Sequence, residues 1–511
     1  MVTWKAIYVS CEIKVGENMK IWTRLTNRHI KSRLLIGLSI FSVLFVFVTQ
    51  LQFLNPFVSS WDQVDFSLAV HRFDLMAMQP HFPGYPFFIL GGKFIYLFVA
   101  NPSEALTVFN ILFYASTLFP IYKLCRAFLS RSYSSLTTAI IYSSSYCLIM
   151  VNQPMSEGSA LSAFWWYVWS LLFALKTKNT KAILFPLALL SLMLGIRLSY
   201  FPFSIGILFL YYWKVKHGGL SIKQVIYYTC WGVFFQAIWL TGLVISEGSL
   251  IGFIKLSLAF TSGYFNDWGG SIETSKISFV TRFIIFIGNN IFWTGMASKH
   301  FMIASIYLFC FIVVLSRIYV KQRVNRHFMT LLYLMFISYF VWALLGQNID
   351  KARHALPLVS LLILFLCIRL FTNRVTLLIL TLSGFLLGLQ IYHDVNLIRE
   401  QATESPAIYK MNNYVQGMGQ PVILYTWEET RVLQYLNAPY THKRIETYQL
   451  FQIDSKYFEN RTVLLTDKVV KGFISQDVSL KGKIEKVKTF QSNELFEPVY
   501  HDITLYKWVG K

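Results

Sequence analysis

The stretch of this chain richest in reactive side chains is residues 59–90, SSWDQVDFSLAVHRFDLMAMQPHFPGYPFFIL. Directly after an apolar run it sets Asp62, Asp65, His71, Arg72, Asp74 and His81. Asp62 and Asp65 are three residues apart, so a helix brings them to one face. Two carboxylates at that spacing can act as a general base, as ligands to a divalent cation, or as both. Equally, Asp62 can simply cap a solvated loop helix. In His81-Phe82-Pro83-Gly84-Tyr85-Pro86 two prolines flank Gly-Tyr and impose a rigid, extended turn. His81 is then either a hydrogen-bonded turn residue or a substrate contact, and Tyr85 sits beside it.

The scaffold that must hold these groups is a membrane one. Hydrophobic residues make up 55% of the 511-residue chain, charged residues 14%, and the mean hydropathy is +0.49. Soluble domains carry about 25% charged residues, so an ordinary soluble enzyme, a disordered chain and a disulfide-stapled module are all excluded. The net charge of +21 is unevenly spread. Residues 393–511 hold 15 Lys/Arg and 14 Asp/Glu, while 1–392 hold 31 and 11. The excess lies among apolar segments, where basic residues mark cytoplasmic loops. A nucleic-acid partner is therefore not expected.

Residues 1–33 carry seven basic side chains, and residues 34–54 are about 20 apolar positions without a small-residue cleavage site. This predicts an uncleaved first helix with the amino terminus in the cytoplasm. Further spans are expected at 104–124, 133–151, 157–175, 182–197, 200–213, 225–246, 300–318, 328–346, 354–371 and 375–392. The apolar stretches 85–100 and 278–297 must stay on the outer side. Only then do Lys123/Arg126/Arg131, Lys176/Lys178/Lys181, Lys214/Lys216/Lys223, Arg317/Lys321/Arg323/Arg326 and Arg369/Arg374 share the cytoplasmic face. The expectation is an all-α polytopic membrane protein: a module of about eleven transmembrane helices over 34–392, with a first outer loop at 55–103.

The tail, 393–511, reads as a small extracytoplasmic α/β domain. VILY (422–425), TVLL (462–465) and ITLY (503–506) have strand character, and TWEETRVLQYL (426–436) has helical spacing with a Thr426–Glu429 capping box. The six cysteines avoid the outer loops and form no CxxC pair, so neither disulfides nor a metal cluster are expected from them.

An acidic motif just past the first span, the H-x-P-G-Y-P turn and the apolar stretch behind it resemble the GT-C superfamily of integral-membrane glycosyltransferases. The likeness is to the branch of protein O-mannosyltransferases and bacterial aminoarabinose transferases. NQPMSE (152–157), GIRLSY (195–200) and RHALP (353–357) fit the same pattern. The resemblance covers the layout of 34–392; the tail is similar only in position. Where that branch has Asp-Glu, this chain has Asp62-Gln63 followed by Asp65, which leaves open which aspartate is the base and whether a divalent cation is needed. The resemblance implies a polyprenyl-phosphate sugar donor amid membrane lipids, a glycan, lipid or protein acceptor, and inversion at the anomeric carbon. It makes Asp62 the leading base and Asp65 an alternate base or metal ligand.

Arg353 opens a span from the outer side. An arginine there is costly unless paired, and its fork suits phosphate oxygens, although it could also snorkel. It is assigned to the donor phosphate, with Arg197 as a second cation and His354 as an assistant. Glu157 stands at a helix start, where it can cap or contact substrate. Asp267, flanked by Tyr264 and Trp268, can hold a sugar, while an interfacial belt also explains Trp268. Two other classes share the composition. A transporter or lipid-linked sugar flippase commonly shows two related halves, and none are seen; a polysaccharide polymerase or ligase would load a mid-chain loop rather than the first one.

Overall fold

The computed structural model describes residues 30–275, 277–316, 326–372 and 375–510. Nearly all of the expected cytoplasmic tail 1–33 lies outside them, as do Cys11, Arg317, Lys321, Arg323 and Arg374.

A helical bundle carries a small mixed α/β unit, as expected. Among the described residues seven helices are long and apolar enough to cross a membrane, nine if each of two bent pairs is one span. The first is Ile30–Gln52. The expected count was about eleven, and the difference has a physical cause. The apolar stretch 182–213 is broken into Thr180–Ile196, a 3-10 turn Leu198–Ser204 containing Pro202, and Ile205–His217. The sequence separates the same two runs, 182–197 and 200–213, but each helix falls short of the roughly 20 residues of a typical span. Arg197 lies at the break with extended backbone, φ −153°.

The two stretches expected not to cross behave differently from ordinary spans. Pro86–Tyr96 is an 11-residue helix, too short to cross. Phe279–Met296 meets Phe301–Leu315 at a bend of 114°. The proline turn ahead of Pro86 has cis peptide bonds at Gln79-Pro80 and Phe82-Pro83. Gly84 there has φ +90°, and a Cβ on it would lie 2.6 Å from Leu243 Cδ2. Only glycine suits both the backbone and the close approach to the Ile222–Glu247 helix.

The Leu377–Thr403 helix runs on past residue 392 and carries Asp394 into the interior, fully buried. The tail is thus continuous with the last span. Its sheet comprises β1 (Val422–Thr426), β2 (Thr441–Arg444), β3 (Thr462–Thr466), β4 (Ile484–Gln491) and β5 (Asp502–Trp508), in the order β2-β1-β3-β5-β4. β1 pairs in parallel with β2 and β3, and β5 antiparallel with β3 and β4. The three apolar runs read from sequence are the central strands. The two edges, THKR and IEKVKTFQ, are too polar to announce themselves.

The Thr426–Glu429 capping box does not form. Thr426 ends β1 and its hydroxyl donates to the Lys443 carbonyl. The helix is only Glu429–Tyr435, and the Glu429 carboxylate accepts from the Trp427 N–H at 2.8 Å. Strand pairing holds Thr426 away from the helix start.

Tail and first loop share a core. Val58 and Val64 are buried with Ile408, Val432, Leu433 and Phe490, and the Val58 N–H donates to the Tyr409 hydroxyl at 3.1 Å. Burial of this apolar surface fixes the loop that carries Asp62.

Candidate active site

Asp62 lies in the first turn of the Trp61–His71 helix, and Arg353 in the Ala352–Ala355 turn that opens the Leu356–Thr372 helix. Arg353 Nη2 donates to Asp62 Oδ2 at 2.6 Å, and its Nε lies 2.9 Å from Glu157 Oε1. Arg197 reaches the same Oε1 at 3.2 Å and donates to Ser156 Oγ at 2.8 Å. One carboxylate, its side chain only 1% exposed, thus sits between two guanidinium groups. A second Arg197 nitrogen is 3.3 Å from His354 Nδ1. Guanidinium can only donate, so that Nδ1 accepts and the ring proton belongs on Nε2.

Glu157 is pinned from below. The Asn110 amide donates to the carbonyls of Gln153 and Met155 at 2.9 and 2.8 Å, and Ser159 donates back to Asn110. A Cβ on Gly158 would stand 2.9 Å from Val151 Cα, so glycine lets this helix start close against its neighbour. Position in the first helical turn also favours the negative charge.

Asp62, Glu157 and the buried Glu497 bring three carboxyls to this place; Arg353, Arg197 and the nearby Lys351 bring three cations. Burial alone would raise the Asp62 pKa, but the Lys351 and Arg353 charges outweigh it and hold the carboxyl well below the usual range. Its side chain is 27% exposed, so it stays reachable. Three cations gathered in one desolvated place give an anion groups to bind.

Asp65 belongs to a second cluster. It has no exposed surface; Oδ2 is 3.0 Å from His81 Nδ1, and Oδ1 accepts from Arg431 Nε at 3.0 Å. Arg431 also donates to the carbonyls of Ala77 and Met78 and lies over the Trp61 ring. His81 Nε2 meets the Tyr85 hydroxyl at 3.1 Å, and burial pushes the Tyr85 pKa up, so the phenol stays protonated. Burial likewise raises the Asp65 pKa, against the pull of His81 and Arg431. Enclosed on all sides, Asp65 offers nothing for an incoming hydroxyl to reach. Its arrangement suits positioning rather than proton abstraction.

The structure therefore joins Asp62, Glu157, Arg197, Arg353 and His354, and sets Asp65, His81 and Tyr85 beside them. Asp267 is exposed in the Tyr264–Trp268 turn, and no hydrogen bond or ion pair among the described residues ties it to the cluster. Asp62 and Asp65 turn to separate partners, and no three His, Cys, Asp or Glu side chains among the described residues converge as a metal ion would require. Sequence reasoning missed Lys351, Arg431 and Glu497. Lys351 stands two places before Arg353, just ahead of a span expected to open from the outer side. Arg431 and Glu497 had no motif around them.

No family model matches the sequence, and no curated protein matches it. Solved structures do. ArnT from Cupriavidus metallidurans, bound to undecaprenyl phosphate, aligns with a TM-score of 0.53 at 10% identity, covering 93% of this chain and 98% of that one. The chain has the GT-C fold. Two further structures in this fold align less well. The Archaeoglobus fulgidus oligosaccharyltransferase, tethered to an acceptor peptide, gives 0.46 at 10% identity over 85% of this chain and 69% of that one. The arabinofuranosyltransferase AftD from Mycobacteria gives 0.47 at 13% identity over 94% and 42%. The GT-C likeness is one of fold: a multi-pass membrane bundle with a small sheet-containing domain at the carboxyl-terminal end.

Proposed function

We propose that this GT-C-fold protein transfers a sugar from a polyprenyl-phosphate donor to an acceptor hydroxyl on the outer side of the membrane, with inversion. The observation that carries the reading is the contact between Asp62, the reachable carboxylate, and Arg353, the cation beside Arg197 and Lys351. An entering donor phosphate competes for Arg353, and a guanidinium drawn to phosphate releases Asp62. The freed carboxylate accepts the proton of the acceptor hydroxyl as its oxygen bonds to the anomeric carbon. The bond from that carbon to the phosphate oxygen breaks on the opposite face, and the three cations meet the charge on the departing carrier phosphate.

An apolar groove of about 570 Å³ supports the lipid half of the reading. Phe201, Leu208, Val341, Trp342 and Leu345 line it. It lies beside the Leu198–Ser204 turn that follows Arg197, so an isoprenoid chain seated there would hold its phosphate near that cation. ArnT, of the same fold, was solved with undecaprenyl phosphate. In the cell membrane the amino terminus would face the cytoplasm and the tail domain the exterior. The test is incubation of the purified, reconstituted protein with a panel of polyprenyl-phosphate hexoses and pentoses, following donor cleavage. Turnover of one donor that Asp62→Asn abolishes is the expected result. No cleavage of any donor, or equal cleavage by the variant, would overturn it.

A further inference from the structure

Behind the Asp62 helix, between the first loop, the end of the Leu377–Thr403 helix and the tail domain, lies a second cavity, of about 500 Å³. That is within the range of small-ligand sites, roughly 300–1,000 Å³. Its lining differs from that of the apolar groove. Side-chain amides dominate: Asn55, Gln63, Gln153, Gln401, Gln491 and Asn493. Phe57 and Phe496 supply aromatic faces.

The amides are held in place by one another. Gln63 Nε2 donates to Gln153 Oε1 at 3.2 Å, and Gln153 Nε2 donates to the Phe496 carbonyl at 3.0 Å. The Asn493 amide donates to both Glu400 oxygens at 3.1 Å. Such a wall offers fixed donors and acceptors without demanding a particular charge, which is what hydroxyl groups require. Its ionisable side chains are three carboxyls, Glu400, Glu404 and Glu497, and one lysine, Lys410, so it offers little to an anion. Asn493 holds Glu400 in place, and burial raises the Glu497 pKa.

Glu497 links this cavity to the active site. It lines the wall, is buried, and lies near enough to Arg353, Lys351 and Asp62 to feel their charges. Gln63 follows Asp62 in the chain and Gln153 stands four residues before Glu157, so the cavity wall and the active-site cluster are built from the same two segments. On the glycosyl-transfer reading, we infer that this cavity seats the acceptor, and that the acceptor is a neutral, hydroxyl-rich glycan. A lipid acceptor would want a run of aliphatic side chains such as lines the other groove, whereas here the apolar side chains are only Phe57, Pro406 and Phe496. An anionic one would meet Glu400 and Glu404 with a single lysine in compensation.

Saturation-transfer NMR on the full-length protein in nanodiscs tests this without any donor. The probes are short neutral gluco- and manno-oligosaccharides, an oligogalacturonate and a Ser/Thr-rich peptide. Glu404→Trp and Gln491→Trp fill the cavity from positions that are exposed, so folding is spared. A neutral oligosaccharide should bind, the acidic saccharide and the peptide should not, and each filled variant should weaken binding by at least about tenfold, or 1.4 kcal/mol. Preference for the peptide or the oligogalacturonate, no binding of any probe, or equal binding by the filled variants would each overturn the inference. Donor cleavage by the same preparations separates the two readings. Saccharide binding without donor turnover defeats the transferase and leaves the glycan site, whereas donor turnover without saccharide binding does the reverse.

Discussion

Asp62 and Arg353 are 291 residues apart in the chain and 2.6 Å apart in space. Each holds the other in its charged form, so on the proposed reaction the free protein keeps its base and its phosphate cation locked together. Asp62→Asn breaks this lock from one side only. The asparagine cannot take a proton, and transfer should fall by about 10²–10⁴-fold, the usual weight of a general base. Arg353 is meanwhile left free for phosphate. The donor KM should therefore not rise, and steady-state kinetics that separate kcat from KM check both halves.

Arg353 and Arg197 converge on one buried carboxylate, Glu157. Glu157→Gln leaves two like charges facing each other in a desolvated place, a change that typically costs about 3–5 kcal/mol. Arg197→Gln in addition should restore part of that loss, because the repulsion disappears. Thermal unfolding of the two single variants and the double variant in one lipid system measures the coupling. A double variant as unstable as the sum of the singles would contradict the shared-carboxylate arrangement.

Arg431 ties the tail to the first loop through the buried Asp65 and the carbonyls of Ala77 and Met78. It touches neither donor phosphate nor Asp62, so it is a positioning residue. Arg431→Ala and Asp65→Asn should each lower kcat by about 10–10²-fold through displacement of the Asp62 helix. Donor KM should stay within about twofold, since the cations remain in place. Combined, the two changes should cost little more than either alone. Arg431→Lys should rescue only in part, because an ammonium cannot reproduce the two-nitrogen contact.

The membrane class and the central strands were legible because each depends on local composition, and the charge pattern correctly kept 85–100 from being read as a span. VILY, TVLL and ITLY are buried in the sheet, and apolar runs of that kind show in any reading. The members of the cluster were legible where a short motif set an ionisable group at the end of an apolar run, as with Arg353, Glu157 and Arg197. Arg431, Glu497 and Lys351 lie in polar sequence, where one more charge is unremarkable, and only tertiary packing brings them to the site. Burial also separated Asp62 from Asp65. Three residues of spacing gave them equal standing, and the docking of Arg431 enclosed one of them. Asp267 looked equally suitable beside its aromatics, yet it stays exposed on its turn. The break within 182–213 was legible as a gap between two apolar runs, whereas the shortness of the two helices comes from Pro202 and the extended backbone at Arg197.

Glu429 gives the tail domain a pH dependence of definite sign. Buried at the head of its helix, it has a pKa pushed up to about 7 by burial, which the Glu429 and Trp427 N–H groups only partly offset. In the unfolded chain a glutamate titrates near about 4.3. Between those values the folded state binds the proton that the unfolded state releases. Stability is therefore greatest below the unfolded pKa and declines as pH rises toward and through about 7. A raised pKa of this size corresponds to on the order of 3 kcal/mol once the carboxyl is fully ionised. Unfolding of the tail, followed by hydrogen exchange at β1 and β3 between pH 5 and pH 8 or thereabouts, should show this loss in the wild type. In Glu429→Gln the profile should be flat across that window, with protection at the upper end higher than in the wild type. A wild-type tail that instead gains protection as the solution becomes more alkaline would mean that Glu429 is ionised and well paired in the folded protein.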